Sequence, residues 1–427
     1  MVEFQSVLNR IKKILNPPVI LLLLSVLSYG ILIPFLGFYW DDWPLIWFKH
    51  AFGAGIFTEL FTSDRPFLAG VYLITANLLG TTPLPWQILV LLTRWLVSWL
   101  VYWSLNALWP KNRTESLWMA ALFTIYPGFL QQPISVVYSN GFLLLAGYLL
   151  SIGAMIKAIR SPSRYLPLTA VAIFGLVFCK FSTEYYVTLD AIRPVVIWLI
   201  VADPKARLVE NFLKTIRYWL PYFIALVIYL IWRILIFQFP GYQPKLVDET
   251  AITQPLAFMG VFARLFQDSF TAGIKPWLDI FSRLPDNFAA SSTAIVYIGL
   301  ILSSFLLCMI MFSINASPSV DRKNSGQSTW YAQPLLLGIV SMLTAGGPFI
   351  VADLPIKLVF PWDRFTLPFM LGSAIFMVGF LNWLIRLRTQ RVVLISLLAA
   401  LSIGTHFLNS NAFRREWETQ KSFFWQL

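Results

Sequence analysis

Apolar residues in this chain fall in long unbroken runs rather than in one-sided helical or alternating strand patterns. Val19–Phe38, Leu220–Phe239 and Ile295–Phe312 are examples. Each is close to the ~20 residues a helix needs to cross a hydrocarbon core. Read from end to end, the pattern predicts spans near 18–38, 86–108, 115–130, 140–157, 166–183, 186–201, 218–238, 293–314, 333–351, 365–385 and 392–408. The predicted fold is therefore all-α: one polytopic transmembrane domain over 1–427, with about eleven membrane helices. Two longer segments interrupt it, 39–85 and about 239–292. Within them, 44–53 and 66–80 read as short interfacial helices, each opened by a proline, and 255–271 as a third. Residues 315–329 read as a polar linker.

Composition strengthens this picture. Apolar residues make up 58% of the chain and charged residues 12%, about half the usual charged share of a soluble domain. The 18 Trp, 16 Tyr and 36 Phe gather near the ends of the apolar runs, where amphipathic rings favour the membrane interface. The first run is too long for a signal peptide and ends in Phe38, Tyr39 and Trp40, where cleavage needs small residues; it reads as a retained span.

The net charge of +12 would suit nucleic acid, but its distribution argues for membrane orientation instead. Arg10, Lys12 and Lys13 precede the first span, and Lys111 and Arg113 follow the second. Lys157, Arg160 and Arg164 follow the fourth, and Lys205, Arg207, Lys214 and Arg217 the sixth. Arg322 and Lys323 follow the eighth, and Arg386, Arg388 and Arg391 the tenth. All these clusters share a side if the N-terminus is cytoplasmic. Segments 39–85 and 239–292 then lie outside, as does the amphiphilic tail Asn409–Leu427.

Several chemistries lose ground at once. Two histidines, His50 and His406, with no Cys/His ligand spacing, argue against zinc. No glycine-rich phosphate loop is present. Cys179 and Cys308 both fall in predicted spans and imply no disulfide framework.

The most informative stretch is Phe38-Tyr39-Trp40-Asp41-Asp42-Trp43-Pro44, directly after the first span. Partial desolvation and mutual repulsion would raise one pKa of this acid pair and make one aspartate a candidate general base. The bland alternative is an acidic loop beside an aromatic belt. Two carboxylates also suit a hard divalent cation such as magnesium, manganese or calcium, and the residues leave that requirement open. Lys180 and Glu184, four apart at the end of a span, read either as an ion pair on one helical face or as part of a polar cavity lining.

A first span, paired acids at its outer end and interfacial helices beyond resemble the GT-C superfamily of polytopic glycosyltransferases. The resemblance is to the branch containing protein O-mannosyltransferases and lipid A aminoarabinose transferases. It extends through Ser63-Asp64-Arg65-Pro66-Phe67 to Thr82-Pro83-Leu84-Pro85-Trp86, over about the first 140 residues. Where relatives often carry histidine in the second span, this chain has Arg94, which leaves subfamily and substrate open.

The resemblance implies a sugar donor linked through phosphate to a polyprenyl lipid, with Asp41 as base and Asp42 orienting the acceptor or sharing a cation. Such a site needs cations where the leaving phosphate gains charge, and arginine's planar fork suits phosphate oxygens. Arg364, in Pro361-Trp362-Asp363-Arg364-Phe365, is the first candidate and Arg65 the second, with Lys180, Arg193 and Lys357 weaker. Glu184, Asp353 and Asp363 are candidates for the acceptor side of the same cavity. Two other classes stay open: a flippase of lipid-linked saccharide, and a catalytically silent subunit. A flippase would need charges distributed across many spans, and those inside spans here are few: Arg94, Arg233, Lys180 and Glu184.

Overall fold

Helix follows nearly every apolar run. The structure, a computed structural model, describes residues 14–239, 255–285, 292–315 and 330–426, and among these there is no strand. Helix α1 (Pro17–Ser25) starts at Asn16, whose side chain accepts the Val19 amide at 3.2 Å, with Pro17 and Pro18 in the first turn, where no amide is missed. A π turn (Val26–Gly30) and a 3-10 turn (Ile33–Phe35) carry the apolar segment on to the first loop. That loop holds α2 (Asp42–Phe52), α3 (Ile56–Leu60) and α4 (Leu68–Leu79), the first and third being the short helices that the prolines and aromatics predict. Lys49 near the end of α2 donates to the Ala76 carbonyl near the end of α4, where a helix terminus attracts a cation.

The body of the molecule follows. It comprises α5 (Pro83–Leu108), α6 (Arg113–Thr124), α7 (Ser135–Arg160), α8 (Tyr165–Ser182), α9 (Ile192–Val201) and α10 (Leu208–Ile231). Then come α11 (Pro255–Gly273), α12 (Lys275–Asp279), α13 (Ser292–Asn315), α14 (Ala332–Ala345), α15 (Gly347–Val351), α16 (Phe369–Leu384) and α17 (Arg388–Gln426). Among the described residues, eight helical segments are long and apolar enough to cross a bilayer, and the chain is a multi-pass helical membrane protein. The remaining three predicted spans are helices too, but shorter: α6 has 12 residues, α9 has 10 and α16 has 16.

The shortening of α6 has a visible cause. The prediction carried it to residue 130, but Pro127 disfavours helix in the residue before it and Gly128 follows, so the helix stops at Thr124. The ten residues that follow are irregular and yet buried, with only Leu130 partly exposed. Irregular backbone survives at such depth only if its polar groups find partners inside the protein. Side chains from all around supply them. The Ile125 carbonyl contacts His406 Nε2 at 3.2 Å, and the Gly128 carbonyl accepts from Thr366 Oγ1 at 3.1 Å. The Leu130 carbonyl accepts from Asn409 at 2.6 Å and the Pro133 carbonyl from Gln87 at 2.8 Å. At the helix end itself, fully buried Arg94 donates to the Thr124 carbonyl from Nε (2.9 Å) and Nη2 (2.7 Å). Its charge faces a helix C-terminus and the rings of Tyr29 and Phe142, each 5.1 Å away.

Helix α7 is the axis of the bundle: 78% of its apolar window is buried, against 17% for the segment containing α10, which leaves most of that face for lipid. It packs along α5 on one side and α8 on the other. Against α8 the approach is glycine on glycine, since a Cβ at Gly175 would come within 2.5 Å of the Gly147 carbonyl oxygen. Helices α14 and α16 pair, as do α13 and α17.

Helix α17 has 39 residues, so at 1.5 Å per residue it is about 58 Å long, far more than a ~30 Å hydrocarbon core. Its last third lies along the first loop. Trp417 packs on Tyr39 and Trp43 and fills the space a side chain at Gly37 would need, while Trp43 Nε1 donates to Gln420 at 3.1 Å. At the opposite end, Arg160 donates to the Leu108 carbonyl (2.7 Å), Trp109 to Gln333 (2.8 Å) and Asn315 to the Leu15 carbonyl (3.1 Å). The parts of 239–292 and of the 315–329 linker that fall within 240–254, 286–291 and 316–329 lie outside the described residues.

Candidate functional site

A cavity of about 360 Å³ opens beside the first loop, lined by Asp41, Arg65 and Arg364 together with Tyr72, Tyr138, Asn140, Thr183, Tyr185 and Tyr186. Five stretches distant in sequence meet there: the start of α2, the loop before α4, the first turns of α7, the segment after α8 and the 3-10 turn Trp362–Thr366.

Asp41 stands at the N-terminus of α2 and caps it with no side-chain bond. Partial burial raises its carboxyl pKa above the ordinary value, and the Arg364 charge pulls the other way. Among the described residues, Arg364 has no ion-pair partner, and its buried Nε has no hydrogen-bond partner. Its guanidinium lies over the Trp40 ring (5.0 Å) and the Phe365 ring (4.9 Å). Trp40 takes up a positive φ of 46° and packs edge-on against Phe360, which holds its ring beneath the cation. Aromatic faces stabilise the charge without using its N–H donors. The cavity thus contains a carboxylate and a guanidinium with donor and acceptor capacity to spare.

The residues next door are spoken for. Asp42 is fully buried, and its carboxylate accepts the amides of Ser135 (2.8 Å), Val136 (3.0 Å) and Val137 (3.2 Å). It caps the N-terminus of α7, where an anion is favoured by both the free amides and the helix dipole. Burial pushes its pKa well up, and the backbone donors counter that push. Fully buried against these amides, Asp42 does not line the cavity that Asp41 faces. Among the described residues, no group of three or more His, Cys, Asp or Glu side chains is placed to hold a metal ion.

Asp363 plays the same part on the other side. It is 2% exposed, and accepts the Leu130 amide at 3.0 Å and Gln131 Nε2 at 2.6 Å. Burial raises its pKa against these two hydrogen bonds.

Arg65 reaches the cavity but is engaged. It grips Glu184 in fork fashion, Nε to Oε2 at 3.2 Å and Nη2 to Oε1 at 2.7 Å, and lies 3.4 Å from Asp64. Burial acts to raise the Glu184 pKa, but Arg65 and then Arg233 overcome it and bring it to about 2. Arg233 also donates to the Asp64 carbonyl at 2.6 Å.

The Lys180–Glu184 ion pair, one of the two readings of these residues, does not form. Helix α8 ends at Ser182, so the two residues no longer share a helical face. Lys180, 2% exposed, instead pairs with Asp190 at 2.8 Å, and Asp190 also pairs with Arg193 at 2.8 Å. This buried triad lies apart from the cavity lining, and neither Lys180 nor Arg193 reaches the cavity. Asp353 likewise sits elsewhere, paired with Arg264 on α11 at 2.8 Å. Lys357 and His50 are exposed and line no part of the cavity, and His406 is buried against Tyr29 (3.1 Å).

The four tyrosines, Thr183 and Asn140 escaped the sequence reading because a tyrosine near a span end ordinarily marks the interface. Gln131 escaped too, although Tyr126-Pro-Gly-Phe-Leu-Gln-Gln-Pro133 carried a turn signal inside a predicted span. A second, wider groove of about 630 Å³ runs between α2 and the end of α17, lined by Trp43, Trp47, Phe423 and Phe424 among others, and Pro44 borders both spaces.

No family model matches this chain, and no curated protein is similar to it.

Proposed function

We propose that the protein is an inverting glycosyltransferase of the GT-C type, moving a sugar from a polyprenyl-phosphate donor to an acceptor hydroxyl on the non-cytoplasmic side. The observation that carries this reading is the pairing, in one cavity, of an uncommitted carboxylate at Asp41 with an uncommitted guanidinium at Arg364. The apolar groove that shares Pro44 with that cavity suits the hydrocarbon chain of a ligand whose charged head lies beside Arg364.

In this mechanism Asp41 takes the proton of the acceptor hydroxyl. The acceptor oxygen bonds to the anomeric carbon from the face opposite the phosphate, the carbon–oxygen bond to phosphate breaks, and its electron pair leaves with the phosphate. Arg364 neutralises that charge with N–H donors that no described residue occupies. A raised Asp41 pKa makes it the better base, a role worth about 10²–10⁴ in rate. Asp42 and Asp363 hold these groups in place. The side assignment rests on the alternating basic clusters.

The test is transfer of radiolabelled sugar from polyprenyl-phosphate donors to a membrane extract by protein in nanodiscs, with Asp41→Asn alongside. Label in a new product with the wild type alone supports the enzyme and its base together. Wild-type-like turnover by Asp41→Asn removes the mechanism. Wild-type protein that transfers nothing but moves lipid-linked saccharide across liposomes would be a flippase.

A further inference from the structure

One buried segment secures both charged sides of the cavity. Residues 130–137 clamp Asp363 through the Leu130 amide and the Gln131 side chain, and clamp Asp42 through the amides of Ser135, Val136 and Val137. Each carboxylate is the chain neighbour of a cavity group, Asp363 of Arg364 and Asp42 of Asp41. Among the described residues, Arg364 is otherwise held by ring faces alone, so its direction follows from how the turn Trp362–Thr366 is anchored.

Gln131 is the centre of that anchor. Its Nε2 donates to Asp363 Oδ1 (2.6 Å) and to the Pro361 carbonyl (2.9 Å), and its Oε1 accepts the Tyr138 hydroxyl (2.5 Å). Only one amide orientation serves a carbonyl, a carboxylate and a hydroxyl donor at once. Tyr138 is itself a wall of the cavity, so Gln131 ties that wall to the turn carrying the cation.

We infer that Gln131 is a positioning residue, which through Asp363 aims Arg364 at a phosphate-bearing ligand; this rests on Arg364 being the phosphate-binding cation of the proposed reaction. The substitution Gln131→Glu keeps the shape but replaces the donor with a carboxylate facing Asp363. The charged and titratable groups around it are Asp363 and Arg364 on the turn, Tyr138 on α7, and Tyr126 and Arg283 near Asp363. Asp41 and Tyr185 face Tyr138 from the cavity. When ionised, the introduced carboxylate would repel Asp363; when protonated, its single O–H would restore the donation to Asp363 and forgo the one to the Pro361 carbonyl.

The experiment measures binding of a short-chain polyprenyl phosphate, without sugar, to protein in nanodiscs at about pH 8 and about pH 5, a range that spans a carboxyl raised by burial and a like charge. Wild type at each pH is the reference, and Arg364→Gln the control expected to lose binding. Gln131→Met should bind about tenfold more weakly at both pH values, the scale of one lost hydrogen bond to a charged group. Gln131→Glu should match that loss at the higher pH and return to within about twofold of wild type at the lower. Wild-type affinity in both variants at both pH values overturns the inference. So does a Gln131→Glu loss that ignores pH and tracks a melting point lowered as in Gln131→Met, because that is what a merely structural role gives. Absence of binding by the wild type overturns it as well, by removing Arg364 as the phosphate site. Wild-type protein that binds and responds to pH as expected, yet transfers no sugar, removes the transferase reading and leaves the positioning role standing.

Discussion

Asp41 and Asp42 share a chain position to within one residue and differ in every physical respect that matters. Asp42 is sealed among three backbone amides, while Asp41 faces the cavity with none. Substitution by asparagine separates them. In Asp42→Asn the new amide group must point at least one N–H at a backbone N–H, leaving a buried donor unsatisfied at about 1–3 kcal/mol. Thermal unfolding in nanodiscs should therefore show a lowered midpoint for Asp42→Asn and an unchanged one for Asp41→Asn. In a transfer assay the acid limb of the rate profile, set by Asp41, should lie above its ordinary carboxyl value of 3.8, since burial disfavours the charged form.

At the scale of elements, the ion pair between Arg65 and Glu184 joins the loop before α4 to the segment after α8. Glu184 has its folded pKa depressed from 4.5 to about 2, so the stability the pair contributes is present above 4.5 and lost as pH falls through about 2. The midpoint difference between wild type and Glu184→Gln should accordingly be constant from neutral pH down to 4.5 and narrow below it. The side chain of Glu184 is 35% exposed, so salt should reduce the difference. Arg94 makes the converse case. Arg94→Met would remove the charged donor from the Thr124 and Phe123 carbonyls, leaving Thr124 the Tyr29 hydroxyl (2.9 Å) and Phe123 the Tyr126 amide (3.4 Å), at about 1.5–3 kcal/mol for each charge-assisted bond lost. A lowered unfolding midpoint checks this, and a midpoint matching wild type would show that other groups satisfy those carbonyls.

Across the whole molecule, α17 and the first loop are packed together and so must share a side of the membrane. Cys179 and Cys308 are both buried, so the wild type gives a low background for thiol labelling. Single cysteines at Phe52 and Trp425, both exposed, should react with a membrane-impermeant maleimide from the same side, and a cysteine at Arg164 from the other. Labelling of positions 52 and 425 from opposite sides would contradict the packing.

Membrane class, helical content and the surface helices of the first loop were legible in the sequence, because hydrocarbon thickness dictates run length and because proline and aromatic positions are local signals. Asp41, Arg65 and Arg364, singled out as charges on the outer side of the predicted spans, do line one cavity. The length of α6 was misread although Pro127-Gly128 stood in plain view, since run hydropathy outweighed a two-residue turn signal. The tertiary structure alone decided which charges are spare and which are spent. Asp42 spends its charge on a helix 93 residues away, Asp363 on Gln131 at a separation of 232, and Glu184 on Arg65 at a separation of 119. Partners that distant leave no trace in local pattern, because which side chains meet is set by how the helices pack, and hydrophobic period specifies only which face is buried.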